Sequence, residues 1–145
     1  MINGIGLDRG TKVLVTAGAS GIGRTIAETF EQAGAKIHIC DNSDIALEKC
    51  SSDHPSWGVT KCDVSNPAEV DTLFDEVQKN LSGLDVLVNN AGIAGPTSPV
   101  HEMDIEDWNR TIEINLNGQF YCARRAVPML KASNSASIIC ISSVA

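Results

Sequence analysis

The chain has 145 residues, 43% of them hydrophobic and 20% charged, a balance that gives one globular domain a core and excludes an intrinsically disordered chain. Its formal net charge of −7 supplies no basic surface, which argues against nucleic acid or an anionic membrane as partner. No apolar run reaches the roughly 20 residues of a membrane-spanning helix, and Met1 to Gly10 lacks the charged-then-apolar order of a secretory leader, so a cytoplasmic protein is expected. In chain order, β-branched runs alternate with longer amphipathic stretches. Lys12 to Thr16, Lys36 to Cys40, Gly58 to Cys62, Asp85 to Val88 and Ser137 to Ser142 predict five strands. Ile22 to Ala33, Asp44 to Cys50, Pro67 to Lys79 (capped by Ser65 or Asn66) and one long stretch from about Ile105 to Lys131 predict the helices between them. Pro128 falls in the last turn of the long helix or kinks it. The fifth run, S-I-I-C-I-S, is apolar enough for a strand covered on both faces. Such an alternation gives an α/β domain over 1–145: a doubly wound parallel sheet with helices on both faces, its ligands at the carboxyl ends of the strands.

Cys40, Cys50, Cys62, Cys122 and Cys140 are odd in number and lack C-x-x-C spacing, so they are expected as buried small hydrophobes rather than disulfides or zinc ligands. His38, His54 and His101 lie far apart, and no metal is expected. Chemistry concentrates instead at strand ends. The first strand runs into Thr16-Ala17-Gly18-Ala19-Ser20-Gly21-Ile22-Gly23, whose small residues let backbone N–H groups approach a phosphate at the start of a helix. Asp41 ends the second strand 18 residues after Gly23, where a carboxylate accepts from both hydroxyls of an adenosine ribose and repels a 2′-phosphate. No Arg or Lys stands in the glycine loop or directly after Asp41, which favours NAD over NADP. Asn42 is expected to share that contact. The alternatives at these positions are a ligand-free tight turn and a plain helix-capping acid.

Four segments carry a family resemblance. The glycine loop resembles the T-G-x-x-x-G-x-G pattern of the short-chain dehydrogenase/reductase superfamily, with Ala17 standing where that family has its first glycine. Asn89-Asn90-Ala91-Gly92 is similar to its N-N-A-G signature, and Trp108-Asn109, Asn115 and Gly118 to its W-N-x-x-x-x-x-N-x-x-G stretch. Ile141-Ser142-Ser143 resembles its I-S-S segment. The resemblance covers Thr11 to Ala145, the amino-terminal portion of such an enzyme, and implies a Rossmann-type sheet. It also implies cofactor contacts from Ala17, Gly18, Ser20, Gly21, Ile22 and Gly23, adenine contacts from Asp63 and Val64, and further contacts from Asn90, Ala91 and Gly92. Ser143 would orient the substrate oxygen. The Asn115 carbonyl would hold a relay water at a local helix break, with which Gly118 is compatible. A homodimer or homotetramer is implied, with Phe120, Ala123, Val127 and Leu130 as an apolar stripe that equally fits a core face.

Reduction of a carbonyl by hydride needs a proton, which this family takes from Tyr-x-x-x-Lys on the helix after the fifth strand. That helix would begin past Ala145. Tyr121 with Arg125 four residues on is a superficial match, in the wrong place and with a guanidinium that replaces an amine poorly. The expectation is therefore the cofactor-binding part of an NAD(H)-dependent oxidoreductase acting on a secondary alcohol and its ketone, or a 3-oxoacyl group. It would be truncated after the fifth strand, inactive alone and prone to aggregate through an uncovered strand, with a missing carboxy-terminal half or second chain as partner. Competing readings are a non-catalytic NAD-binding module and a ligand-free remnant of the fold.

Overall fold

The computed structural model describes residues 6–143. The expected strands and helices appear as β1 (Lys12–Thr16), α1 (Gly21–Gln32), β2 (Lys36–Asp41), α2 (Asp44–Asp53), β3 (Gly58–Lys61), α3 (Pro67–Leu81), β4 (Val86–Asn89), α4 (Ile105–Ile112), α5 (Gly118–Leu130) and β5 (Ser137–Cys140). The strands pair in parallel in the order β3-β2-β1-β4-β5. Because β2 and β3 are laid down on one side of β1 and β4 and β5 on the other, the chain reverses direction between β1 and β4. In an open parallel sheet that reversal leaves a crevice at the carboxyl ends of those two strands.

Alternation along each strand sorts the core into two layers. Val13, Val15, Ile37, Ile39, Val86 and Val88 face α1 and α2, where they pack with Ala27, Leu47 and Trp57. Leu14, Cys40 and Leu87 face α3 and α5, where they meet Leu73, Phe74, Val77 and Ala126. Strands buried on both sides have no polar face, which is why the sequence shows continuous aliphatic runs rather than alternating ones. Asn66, not Ser65, caps α3: its side chain accepts from the amides of Ala68 and Glu69, with Pro67 at the first turn.

The carboxy-terminal third meets some expectations and corrects others. The stretch from Ile105 to Lys131 is interrupted at the expected place, since Glu113–Asn117 forms a π turn between α4 and α5. The fifth strand is the expected uncovered edge: it pairs with β4 alone, leaving Ile138 and Ile139 41% and 39% exposed, and Cys140, expected to be buried like the other four cysteines, is exposed with it. The apolar stripe also divides, since Leu130 belongs to the core whereas Phe120 and Val127 are exposed. Pro128 sits within the last turn of α5.

Two local features carry stability consequences. Ala17 turns the chain out of β1 at φ +49°, in the left-handed region where a Cβ costs roughly 1–2 kcal/mol. Glycine relieves that strain but gives back part of it through the greater freedom of the unfolded chain. Ala17→Gly is therefore expected to stabilise the protein by about 1 kcal/mol, read as a higher urea midpoint; a lower midpoint would place no strain at this turn. His38 is buried in β2 with Nε2 2.8 Å from the Thr60 hydroxyl. Burial lowers its pKa from 6.5 to about 4, against smaller upward pulls from Asn80 and Glu76. A folded-state pKa below the unfolded one means that protonation favours unfolding. Its contribution is intact above pH 6.5 and declines toward pH 4 by up to about 3 kcal/mol. His38→Gln is expected to flatten the stability profile in that window, and an unchanged slope would assign the acid sensitivity to other groups.

Candidate functional site

The crevice between β1 and β4 is held by a threonine that ends an otherwise aliphatic strand. Thr16 Oγ1, fully buried, accepts from the amides of Asn90 (3.0 Å) and Ala91 (2.9 Å). In return the Asn90 side-chain amide donates to the carbonyls of Thr16 (3.0 Å) and Ala17 (3.2 Å). The loops after β1 and β4 are thereby joined across the switch point. Sequence reading placed Thr16 at the head of the glycine motif without a role. Its signal was a lone hydroxyl closing V-L-V-T, a position where a buried oxygen must find donors.

Two glycines set how closely the elements approach. A Cβ on Gly18 would lie 2.7 Å from the Ile39 side chain and 2.9 Å from the Val15 carbonyl. One on Gly23 would collide with the Ala17 carbonyl and the Asn90 amide. The first turn of α1 therefore lies directly on the loop. Ser20 is its N-cap in extended conformation but makes no side-chain cap hydrogen bond, so no side chain of the cap competes for the first amides. Ser20, Gly21 and Ile22 are exposed at this helix start, Ile22 to 68%.

An open groove follows the strand ends. Of the residues singled out by sequence, Ala17, Asp41, Asn42, Asp63, Val64, Ala91 and Gly92 line it, together with Cys62, Ile93 and Ile114. The buried Asp41 carboxylate is fixed from two sides: Oδ2 accepts from the Ala19 amide (3.3 Å) and Oδ1 from the Ser43 amide (3.1 Å). Asp63 is held as firmly. Oδ1 accepts from the Ser65 amide and hydroxyl, and Oδ2 from Arg110 at 2.9 Å. Partial burial pushes its pKa up, but the Ser65 and Arg110 hydrogen bonds together outweigh that and leave the carboxyl below its ordinary range.

Asn115 lies in the π turn and its side chain pairs with one peptide on the far side of the groove. Oδ1 accepts from the Ile93 amide (2.8 Å) and Nδ2 donates to the Ile93 carbonyl (2.7 Å). The expected helix break is thus present at Asn115. Gly118, however, does not cause it through backbone freedom. It is an ordinary helical residue at φ −59°, and its missing side chain makes room for Val64, whose Cγ2 would lie 2.7 Å from a Cβ there.

Ser143 is exposed three residues beyond β5 and is not among the residues lining the groove, while Val144 and Ala145 fall outside the described residues. Tyr121 packs half-buried against the core, and Arg125 is engaged by Asp71 (2.6 Å) and Asp75 (3.1 Å) of α3, so this pair has packing roles. Two thiols of the core are inert. Hydrogen bonding to Cys62 and burial push Cys40 well above its ordinary value, and burial pushes Cys122 up to about 12. Chemically, the site offers amides at a helix start for an anion, a fixed carboxylate for a diol, and a half-apolar wall for a flat ring.

The sequence matches the short chain dehydrogenase family model over residues 11–145. It is 40% identical over 141 residues to a tropinone reductase homologue of Arabidopsis thaliana, an alignment covering 94% of this chain and 53% of that protein. Identity to a 3beta-hydroxysteroid dehydrogenase of Mediterraneibacter gnavus is 39% over 137 residues, covering 92% and 49%. The ligand-free structure of aldohexose dehydrogenase from Thermoplasma acidophilum shares the fold with a TM-score of 0.82 at 36% identity, covering 94% of this chain and 50% of that one. The chain thus spans about half the length of each of these three relatives. Since the matched region contains the glycine loop, the N-N-A-G loop and the π turn, the chain belongs to the short chain dehydrogenase family.

Proposed function

We propose that this chain is the cofactor-binding part of an NAD(H)-dependent oxidoreductase that interconverts a secondary alcohol and a ketone or 3-oxoacyl group. The observation that carries the reading is Asp41: a buried carboxylate at the tip of β2, held toward the groove by the Ala19 and Ser43 amides. Each oxygen keeps acceptor capacity beyond those bonds, which suits two neighbouring ribose hydroxyls and opposes a 2′-phosphate. Bound NAD would supply the hydride acceptor and, when reduced, the donor.

The chain's own residues fit such a ligand. Gly18, Ser20, Gly21, Ile22 and Gly23 present the uncapped first turn of α1 to the pyrophosphate, and the absence of a Cβ at Gly23 keeps that turn against Ala17. Asn42, Asp63 and Val64 form the wall for adenine, with Asp63 immobilised by Ser65 and Arg110. Asn90 fixes the opposite loop, leaving Ala91 and Gly92 as the surface that the nicotinamide end would follow. Asn115 holds that loop through Ile93, and its backbone at the π turn is the proposed seat of a relay water. Ser143 is proposed to orient the substrate oxygen, and the proton is assigned to a Tyr-x-x-x-Lys pair carried by the remainder of the protein or a second chain. Exposed Trp108, Phe120 and Val127 on α4 and α5 support a homodimer or homotetramer, and a cytoplasmic location is proposed with it. No helix among the described residues is long and apolar enough to cross a membrane.

In the whole protein, Asp41→Ala is expected to weaken NAD binding about tenfold or more and to narrow the preference over NADP, measured by calorimetric titration of both. Unchanged affinity for both would remove Asp41 from the site. Asn115→Ala is expected to weaken NAD binding several-fold and to speed hydrogen exchange at the Ile93 amide, since both bonds to that peptide are lost. Tight NAD binding with no turnover of any alcohol or ketone would favour the non-catalytic module instead.

A further inference from the structure

The two nicotinamide dinucleotides differ by one group, the phosphate on the adenosine ribose. In chain order no Lys or Arg follows Asp41 until Lys49, on α2. The sheet brings a nearer cation that sequence separation hides. Lys61, the last residue of β3, is the register partner of Asp41, the last residue of β2. Register partners in parallel strands project to the same face, and here that is the α1 and α2 side. The Lys61 ammonium reaches the first turn of α2, where it makes a 2.7 Å ion pair with Asp44 Oδ2. Asp44 directly follows Ser43, whose amide holds Asp41 Oδ1 at 3.1 Å. Asp41, Ser43, Asp44 and Lys61 therefore form one chain of contacts that leads from a carboxylate lining the groove to an ammonium outside it.

The ion pair is loose. The Lys61 side chain is 59% exposed and that of Asp44 68%, so water and salt screen their attraction and it contributes little to stability. Lysine carries its charge on a flexible four-carbon stem and can exchange one anionic partner for another. A phosphate dianion seated beside Asp41 is a stronger partner than a single solvated carboxylate. What keeps it out is the Asp41 charge itself.

We propose that Lys61 is a second determinant of dinucleotide choice, a cation within reach of a ribose 2′-phosphate that Asp44 holds in reserve and Asp41 overrules. The proposal rests on the reading of Asp41 as the ribose-binding group. It makes the preference for NAD the product of one repulsive carboxylate over a latent attractive site, so that neutralising Asp41 alone is enough to admit the phosphate. Asp44 then acts as the competitor whose removal frees the ammonium.

The test uses the whole protein in three variants: Asp41→Ser, Asp41→Ser with Lys61→Gln, and Asp41→Ser with Asp44→Asn. Affinities for ADP-ribose and 2′-phospho-ADP-ribose are measured by calorimetry at low and high salt. Asp41→Ser is expected to bind the phosphorylated ligand. Adding Lys61→Gln should weaken that binding about tenfold and flatten its salt dependence while leaving ADP-ribose untouched, and Asp44→Asn should tighten it several-fold. Because Lys61 and Asp44 are exposed, unchanged ADP-ribose affinity also reports an intact fold. If Lys61→Gln leaves 2′-phospho-ADP-ribose binding unchanged, or weakens both ligands equally, the proposal is overturned. If Asp41→Ser has no effect on ADP-ribose, the reading of Asp41 fails first and takes the proposal with it.

Discussion

The exchange of hydrogen bonds between Thr16 and Asn90 is the interaction on which the site depends. A parallel sheet that reverses direction must leave two strand ends side by side with no connection between them, and the loops leaving β1 and β4 would otherwise diverge. Thr16 Oγ1 takes the amides of Asn90 and Ala91, and Asn90 takes the carbonyls of Thr16 and Ala17. These are buried or half-buried polar groups, so each bond that is lost strands a partner away from water. Gly23 completes the joint by letting α1 rest on the Ala17 carbonyl and the Asn90 amide at once. One glycine therefore serves helix, loop and neighbouring strand together.

Across the groove a second joint answers the first. The π turn widens the helix between α4 and α5 by one residue and directs Asn115 at the Ile93 peptide, while Gly118 admits Val64 from the loop after β3. The wall formed by Val64 and Asp63 is thus set by a helix distant from it in sequence. Arg110 repeats the pattern with charge, clamping Asp63 and Ser65 from α4.

The fold was legible because it follows from period: aliphatic runs of four to six residues separated by helical stretches admit few arrangements other than a parallel sheet. Asp41 and the glycine loop were legible because their positions are fixed relative to strand ends that the pattern already gives. What escaped was whatever depends on pairs distant in the chain. Thr16 has its partners more than seventy residues away, Lys61 meets Asp41 only through register, and Gly118 looks like a flexible hinge until Val64 is set against it. The break at Asn115 was legible only through the family resemblance, because the flanking helical stretches are too short for periodicity alone to separate a π turn from a regular helix. The exposed fifth strand was legible for a different reason: composition reports the burial a segment can tolerate, whereas its cover has to come from another element.

The clamp on Asp63 has a further consequence for motion. α4 buries none of its own residues, and its contacts with the body include the π turn, the packing of Thr111 on Gly95 and an Arg110 ion pair whose side chains are 48% and 30% exposed. Helices fastened in this way detach locally at a free energy far below that of melting the sheet. Rising ionic strength screens the Arg110 pair and with it the hold of α4 on Asp63. A pair on the outer surface thus sets how firmly the wall of Asp63 and Val64 stands on the inner one.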